Sequence, residues 1–122
     1  VSFIASEIKI GDVLDGTSNT ILIGEKYLQV EGYETGDNPQ DNECAYTGYN
    51  NDVYRNTNRA NSPAQDTPGL NKGCAFGSAH PTGFLAVFCD GSVHALSYSI
   101  NLPVFENLGN REDQQPTPLD SL

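Results

Sequence analysis

The chain has 122 residues and a formal net charge of −10, because sixteen Asp and Glu outweigh six Lys and Arg. So few basic side chains argue against nucleic acid as a partner, since its phosphates must be neutralised, and against contact with an anionic membrane surface. The length suits one domain around one hydrophobic core, and the sequence contains no apolar stretch long enough to span a membrane.

The N-terminal part of the chain predicts short elements. Residues 8–10 alternate between apolar and polar side chains as a short strand does. Residues 11–16 end in glycine and predict a single helical turn, and the Thr-Ser-Asn-Thr run at 17–20 predicts a structured turn. Residues 21–28 predict a core strand, in which Gly24 indicates a bulge or a close backbone approach.

The middle of the chain, residues 31–73, differs in composition from both ends. It contains no Ile or Phe and a single Leu, while most branched aliphatic residues lie in 1–30 and 74–108. We therefore expect the core to come from the two ends of the chain and the middle to form a long irregular insertion over it. Tyrosines can pin this insertion by burying a ring and hydrogen-bonding a hydroxyl. The candidates are Tyr33, Tyr46, Tyr49 and Tyr54.

An apolar run at 84–89 is followed by an Asp-Gly pair and a second apolar run at 92–98. This pattern predicts a β-hairpin with a two-residue type I′ turn, in which Phe88 lies opposite Val93. Because apolar side chains occupy both faces of the first strand, we expect that strand to be central in its sheet and covered on both faces.

The C-terminal part predicts one short helix and a tail. Asn101 is a suitable N-cap, Leu102-Pro103 suit the first turn, and Gly109 ends the helix. Residues 111–122 are polar, contain two prolines and predict a solvated tail. Together these elements predict an α+β fold with a mainly antiparallel sheet, in a single domain spanning 1–110.

Three stretches of the sequence carry a family pattern. The first spans residues 15–25, the second joins 41–43 to 49–52, and the third is His80 followed after nine residues by Asp-Gly at 90–91. In this order they resemble a planctomycete pilin-like family of unknown function with a prepilin-type processing-associated His-x9-Asp-Gly domain. The resemblance implies a structural motif in this chain. Its residues are Asp15, Gly16, Asn19, Glu25, His80, Asp90 and Gly91.

Members of that family are similar to type IV prepilins and to the pseudopilins of type II secretion. The resemblance implies a pilin-like or pseudopilin-like globular head. It also implies a cleavable leader and an apolar N-terminal helix that these residues do not include, so we expect the chain to be a C-terminal portion. We further expect export to the extracellular space, the cell surface or the periplasm, and assembly with protein subunits as a homo-oligomer or filament component. This portion is expected to make no membrane contact.

His80 and Asp90 invite a catalytic interpretation that the expected geometry argues against. The strand between them alone covers roughly 20 Å, whereas an acid–base pair needs a hydrogen-bond distance of about 3 Å. We therefore expect His80 to brace the loop before the strand, and Asp90 with Gly91 to supply turn geometry. Neither Ser18 nor Ser92 lies in a Gly-x-Ser-x-Gly motif, so the sequence predicts a protein that is not an enzyme.

The acidic run from Asp37 to Glu43 offers oxygen ligands of the kind that bind calcium, with Asp37, Asp41 and Glu43 as candidates. The spacing is not that of an EF-hand loop, so a solvated turn-rich loop stays the alternative. Calcium is the only cofactor that the sequence suggests. Neither histidine has a partner at zinc-ligand spacing, and the cysteines form no Cys-x2-Cys pair.

Three cysteines permit at most one internal disulfide. In an exported protein, a Cys44–Cys74 bridge would tie the insertion to the core and leave Cys89 as a small buried thiol. Connectivity does not follow from sequence, so three free thiols stay an alternative.

The sequence therefore leads to a non-enzymatic pilin-like or pseudopilin-like subunit of an extracellular or cell-surface assembly. The alternative is an extracellular binding module, because the tyrosines and carboxamides of the insertion suit carbohydrate or another small polar ligand. A second alternative is a metal-dependent enzyme built around His80. A tyrosine-lined pocket favours the binding module, and converging carboxylates with an open metal position favour the enzyme.

Overall fold

The structure is a computed structural model that describes residues 7–44 and 46–115. Its regular elements are β1 Ile21–Gly24, β2 Ala64–Gln65, β3 Gly77–Ser78, β4 Gly83–Phe88, β5 Val93–Ser97 and α1 Leu102–Leu108. β1, β4 and β5 are antiparallel, so the predicted α+β class with a mainly antiparallel sheet and a short C-terminal helix is confirmed. Within the described ranges, no helix has the length and apolar character needed to cross a bilayer.

The main sheet has the strand order β1-β4-β5, so β4 is the central strand, as predicted. β2 and β3 form a separate two-stranded parallel sheet. The chain just after β1 connects the two sheets. Glu25 N donates to Leu85 O at 3.0 Å, while Gly77 N donates to Glu25 O at 3.0 Å. Glu25 thus marks the point where this strand leaves β4 and turns to β3.

The hairpin between β4 and β5 has a different turn from the one predicted. Val87, not Phe88, pairs with Val93, and Phe88 N donates to Ser92 O at 2.9 Å, so the loop has one residue more than predicted. Gly91 N donates to Phe88 O at 2.9 Å, and Gly91 has a φ of 86°. This is the common three-residue hairpin, a type I turn followed by a left-handed residue. Both geometries need a left-handed glycine, so the Asp-Gly pattern does not separate them.

Only one face of β4 is buried, so the prediction that both faces are covered is wrong. Phe84, Ala86 and Phe88 point to the core and are at most 1% exposed, whereas Leu85 on the opposite face is 44% exposed. Side chains alternate along a strand, and α1 joins the cluster on the inner face. The described residues place no second layer over the other face, so apolar side chains there stay exposed.

The core comes from the two ends of the chain, as predicted. Phe84 stacks on Phe76 with ring centroids 5.7 Å apart and meets Phe105 edge-on at 6.1 Å. Offset and edge-on arrangements are the favourable ones for aromatic pairs. The buried cluster consists of Ile21, Phe76, Phe84, Ala86, Phe88, Leu96, Ile100, Phe105 and Leu108.

α1 begins and ends where the sequence predicts. Pro103 lies in its first turn, Gly109 follows its last residue, and Phe105 and Leu108 are its buried residues. The Asn101 side chain makes no capping hydrogen bond in the structure. Instead, Phe105 N donates to the Asn101 carbonyl at 2.9 Å.

The strand predictions near the N terminus are only partly correct. Residues 8–10 form no strand, and Ile10, which is 73% exposed, begins a 3-10 helix. A three-residue alternation buries too little apolar surface to hold a strand against the core. β1 ends at Gly24, and its register shift lies between Ile21 and Ile23 rather than at Gly24, where the sequence predicts a bulge or a close approach. A Cβ at Gly24 would lie 2.8 Å from the Phe76 ring, so the close approach comes from this ring rather than from backbone.

The insertion is irregular, as its composition predicts. It contains a 3-10 helix at Arg59–Asn61 and the short strand β2. It contacts α1, where Arg59 Nε lies 2.8 Å from Glu106 Oε2 and Thr57 Oγ1 donates to Glu106 O at 3.3 Å. These contacts are polar, in contrast to the aromatic contacts beneath the main sheet.

Candidate functional site

One group of motif residues lies at the hairpin end of the β1–β4 pair. Asp90 N donates to Thr17 O at 3.0 Å, and Cys89 N donates to Thr20 O at 2.9 Å. Asp90 Oδ1 accepts from Ser92 N at 2.9 Å and from Ser92 Oγ at 2.6 Å. These hydrogen bonds to the charged form lower the pKa of the Asp90 carboxyl below its usual value. Asp90 therefore holds the turn and joins it to the segment before β1.

A second group of motif residues lies at the opposite end of the same strand pair. Leu85 N donates to Glu25 Oε2 at 2.7 Å, so the carboxylate replaces the strand carbonyl that turns away to β3. Glu25 Oε1 lies 3.5 Å from His80 Nε2. The structure thus brings Glu25 and His80 together, although they are far apart in sequence.

The strand length explains the spacing of the His-x9-Asp-Gly pattern. The nine residues between His80 and Asp90 are the six residues of β4 and three loop residues. β1 runs antiparallel to β4, so the residues at its two ends meet the two ends of the pattern. His80 and Asp90 therefore lie at opposite ends of one strand, as predicted.

The loop that carries His80 is held mainly through its backbone. Tyr98 O–H donates to His80 O at 2.8 Å, and His80 N donates to Ser78 Oγ at 3.1 Å. Ser78 Oγ also donates to Gly83 O at 3.0 Å. The His80 side chain is 61% exposed. The bracing predicted for His80 thus comes from Tyr98 and Ser78, and the imidazole adds its contact with Glu25.

Asp15, Gly16 and Asn19 shape the turn before β1. Asn19 Nδ2 donates to Asp15 O at 3.0 Å, and Asn19 N donates to Gly16 O at 3.0 Å. The Asp15 carboxylate accepts a hydrogen bond from Asp113 N at 3.1 Å. Residues 111–115, the first part of the predicted tail, therefore return to this turn. The remainder of that tail lies outside the described residues.

Lys26 is a polar anchor between the end of β1 and the insertion. Its Nζ donates to Gln40 O at 3.1 Å, to Asp52 O at 3.1 Å and to an Asp41 carboxylate oxygen. An ammonium has three protons, so these three acceptors use all of them. Asp52 is buried, with 4% of its surface exposed. A side chain of this protein thus supplies positive charge to the acidic part of the insertion.

The candidate calcium ligands take part in separate contacts. Asp41 pairs with Lys26, Glu43 accepts a hydrogen bond from Asn50 Nδ2, and Asp37 N donates to Thr35 Oγ1 at 3.3 Å. Among residues 7–44 and 46–115, no group of three or more His, Cys, Asp or Glu side chains is placed to hold a metal ion. Calcium binding by these residues stays a prediction.

A cavity of about 530 Å³ lies between the chain after β1 and the insertion. Its lining includes Glu25, Lys26, Leu28, Tyr33, Asp41 and Asp66. Leu28 N donates to Asp66 Oδ1 at 2.9 Å, and the Tyr33 hydroxyl donates to Asp66 Oδ2. Burial, followed by this hydrogen bond to a carboxylate, raises the pKa of Tyr33 to about 12. The volume falls within the range of small-molecule sites.

The tyrosine predictions for the insertion are correct in part. Besides the Tyr33 contact, the Tyr49 and Tyr54 rings lie 5.2 Å apart, but Tyr46 is 97% exposed and pins nothing. Tyr27, outside the insertion, is 2% exposed and donates to Leu70 O at 2.6 Å. It is thus a better anchor than Tyr46. The sequence signal for it is a tyrosine near the end of the predicted core strand 21–28, just before the polar insertion.

Sequence reasoning also missed Lys26 and Asp66. Lys26 is one of only six basic residues in a chain with sixteen acidic ones, and such scarcity is a signal for a specific ion pair. Asp66 has no comparable signal, because an aspartate between Gln65 and Thr67 in a polar, proline-containing stretch has the sequence of a solvated turn. Its role depends on where the insertion passes Leu28.

All three cysteines are free in the structure. Cys44 is exposed, and Cys74 and Cys89 are partly buried. Burial raises the pKa of the Cys89 thiol. The Cys44–Cys74 bridge is not formed in the structure and stays a prediction.

The face of the main sheet opposite the core, here called the outer face, is apolar. By the strand register, it carries the side chains of Ile23, Leu85, Val87, Val93 and Ala95. Ile23 is 64% exposed, Val93 61% and Leu85 44%. Soluble monomers rarely leave a large contiguous apolar patch uncovered, and such patches mark interaction sites.

The family described as "Protein of unknown function (DUF1559)" matches residues 1–102 of the chain. The matched region contains the three strands of the main sheet and all the motif residues at the two ends of the β1–β4 pair. No curated protein and no solved structure matches the chain.

Proposed function

The chain belongs to the DUF1559 family of proteins of unknown function, and we propose that it is a non-enzymatic pilin-like or pseudopilin-like subunit of an extracellular or cell-surface assembly. The observation that carries this proposal is the exposed apolar outer face. The resemblance of the motif stretches to a pilin-like planctomycete family, with export by a prepilin-type leader, belongs to the same proposal. Its partners are other protein subunits, identical copies or different ones.

The outer face supplies a driving force for assembly. Burying a Val, Leu or Ile side chain that was exposed gains about 1.5–3 kcal/mol. Ile23, Leu85 and Val93 are each more than two-fifths exposed and lie on three neighbouring strands, with Val87 between Ile23 and Val93 in the register. Covering these side chains with a partner would therefore stabilise an assembly without new polar contacts.

The free edge of β5 supports the same proposal. Phe88 N donates to Ser92 O, so the backbone groups of Val93 and Ala95 point away from β4 by the alternation of antiparallel pairs. In the part of the chain that the structure describes, no strand pairs with this edge. Unpaired strand edges are templates for another chain. This edge borders the outer face, so one partner can contact both.

Photo-cross-linking in cells that produce the protein tests this proposal. We would place p-benzoylphenylalanine at Val93 on the outer face and, as a matched control, at the exposed Glu112. The expected result is a series of covalent adducts at 93 that is absent at 112, with sizes that identify copies of the chain or other subunits. Equal labelling from the two positions, or adducts from neither, contradicts the proposal.

A second candidate function, an extracellular binding module for a small polar ligand, is supported by the cavity between β1 and the insertion. Tyr33 lines this cavity together with charged side chains. For the third candidate, an enzyme around His80, the structure offers the contact with the single carboxylate of Glu25 and a half-exposed ring. That arrangement supports neither a nucleophile nor a metal position, so our proposal remains non-enzymatic.

A further inference from the structure

More negative than positive side chains line the 530 Å³ cavity. Three carboxylates line it, those of Glu25, Asp41 and Asp66, against one ammonium, that of Lys26. Three negative charges and one positive charge leave an excess of two negative charges. A partly enclosed cavity with such an excess favours a positively charged occupant over an anion.

Among the charged side chains of the cavity, the hydrogen-bonding capacity that remains is acceptor capacity. The three protons of Lys26 are already donated to Gln40, Asp41 and Asp52, so Lys26 offers nothing to an anion. Each carboxylate oxygen accepts two hydrogen bonds, and Asp66 uses one at each oxygen, from Leu28 N and from Tyr33. A ligand that contacts these charged side chains must therefore donate hydrogen bonds to them.

The volume of the cavity and the spacing of its carboxylates distinguish an organic cation from a metal ion. Calcium needs six to eight oxygen ligands at about 2.3–2.6 Å, and in residues 7–44 and 46–115 no three acidic, His or Cys side chains converge to that degree. A cavity of about 530 Å³ is instead large enough for a small organic molecule. Tyr33, which is 50% exposed, presents a ring that suits a cation–π contact.

We infer that this cavity is a binding site for a small organic cation. Such a ligand has a primary ammonium or guanidinium group attached to a compact polar scaffold, such as a sugar ring. The cationic group lies between Asp66 and the Tyr33 ring, and the polar scaffold of the ligand contacts Leu28. This inference rests on the second candidate function, the binding module, and specifies its ligand class. It is independent of the outer face.

The test is an amide NMR titration of the chain with glucosamine, at a pH where its amine is protonated. N-acetylglucosamine is the matched ligand, because it keeps the sugar and removes the charge. The expected result is that glucosamine shifts the amides of Leu28, Tyr33 and Asp66, and that N-acetylglucosamine at equal concentration does not. Added salt should weaken the glucosamine effect.

Variants locate the site within the chain. Asp66→Asn is expected to weaken glucosamine binding about tenfold, because a hydrogen-bonded charge contact is lost. Tyr33→Leu is expected to weaken binding while keeping the bond from Leu28 N to Asp66. Glu112→Gln removes the same charge next to Arg111, outside the cavity, and should leave binding unchanged. Core amide shifts report whether each variant stays folded.

Four outcomes overturn the inference. If both sugars shift the same amides equally, the cation class is wrong while the binding function stands. If neither sugar shifts them, the binding function fails as well. If calcium chloride shifts these amides and displaces glucosamine, the site belongs to a metal ion. A loss of binding in Glu112→Gln equal to that in Asp66→Asn would show non-specific charge attraction.

Discussion

The main sheet with α1 and the insertion 31–73 differ in what surrounds their side chains. In the sheet core, Phe84, Phe88 and Phe105 are completely buried among other apolar groups. In the insertion, the anchoring contacts are hydrogen bonds and ion pairs, such as those that Lys26 makes to three acceptors. The first region is therefore held by removing apolar surface from water, and the second by polar contacts that compete with water.

This difference predicts that the sheet core and the insertion differ in their local free energies of unfolding. Burial of large aromatic side chains contributes several kcal/mol each, whereas a typical hydrogen bond contributes about 0.5–1.5 kcal/mol net. We expect the insertion to open locally at a lower free energy than the sheet core, which should open with global unfolding. The predictions below test that contrast, from the largest expected effect to the smallest.

Phe84→Ala should have the largest effect. The ring is 0% exposed and packs against Phe76, Phe105 and Tyr98. Its removal leaves a cavity and should lower the free energy of unfolding by about 3–5 kcal/mol. Urea denaturation measures this loss, with Val93→Ala on the exposed outer face as the control, for which we expect less than about 0.5 kcal/mol. Equal losses in the two variants would show that the assigned inner face is wrong.

Lys26→Met should act mainly on the insertion. It leaves a carboxylate and two carbonyls without their shared donor, and we expect a loss of about 1–3 kcal/mol in local stability. Hydrogen exchange should show faster exchange of amides in 31–73 and little change in β4 and α1. Lys9→Met, at an exposed lysine, serves as the control. Uniform acceleration across the sheet would mean that the two regions are not energetically separate.

Gly91→Val tests the hairpin turn, which joins β4 to β5 of the main sheet and lies at the protein surface. Gly91 has a φ of 86°, and a Cβ there would meet nothing within 4 Å, so the cost comes from backbone conformation alone. We expect a loss of about 1–2 kcal/mol, because a β-branched residue resists this region. Gly91→Asn should lose less, since asparagine tolerates it. Melting curves for Gly91→Val that match the original chain would refute the turn assignment.

His80→Gln should have the smallest effect. The side chain is 61% exposed and its contact with Glu25 is 3.5 Å, so we expect a change below about 1 kcal/mol. Glu25→Ala should cost more, because the Leu85 amide then loses its acceptor. Thermal melting ranks the two variants. A substrate whose conversion disappears in folded His80→Gln would overturn the non-enzymatic proposal.

Several parts of the fold follow from local sequence. The α1 boundaries follow from Pro103 and Gly109, and the apolar side chains on both faces of β4 predict its central position. Membership of a family of unknown function is confirmed by the match over residues 1–102, while the pilin-like role and the origin stay predictions. These features depend on neighbouring residues, whose spacing is visible in the chain.

The predictions that the structure contradicts share a different cause. The number of loop residues in the hairpin depends on how β4 pairs with β5, and the exposure of Leu85 depends on whether a second layer covers it. The contacts of the candidate site residues also depend on how distant segments meet. The contacts of Glu25 with His80 and of Tyr33 with Asp66 join residues more than thirty positions apart, and no local pattern encodes them.

The sequence by itself determined the acidic charge, the division into an apolar framework and a polar insertion, and the length of β4 between His80 and Asp90. Each of these depends on composition or on spacing along the chain. Tertiary structure decided that Lys26 neutralises part of the acidic loop, that a cavity forms beside Tyr33 and Asp66, and that apolar side chains of the outer face are exposed. The physical reason is that charge pairing, cavities and coverage depend on distances between segments, which exist only once the chain has folded.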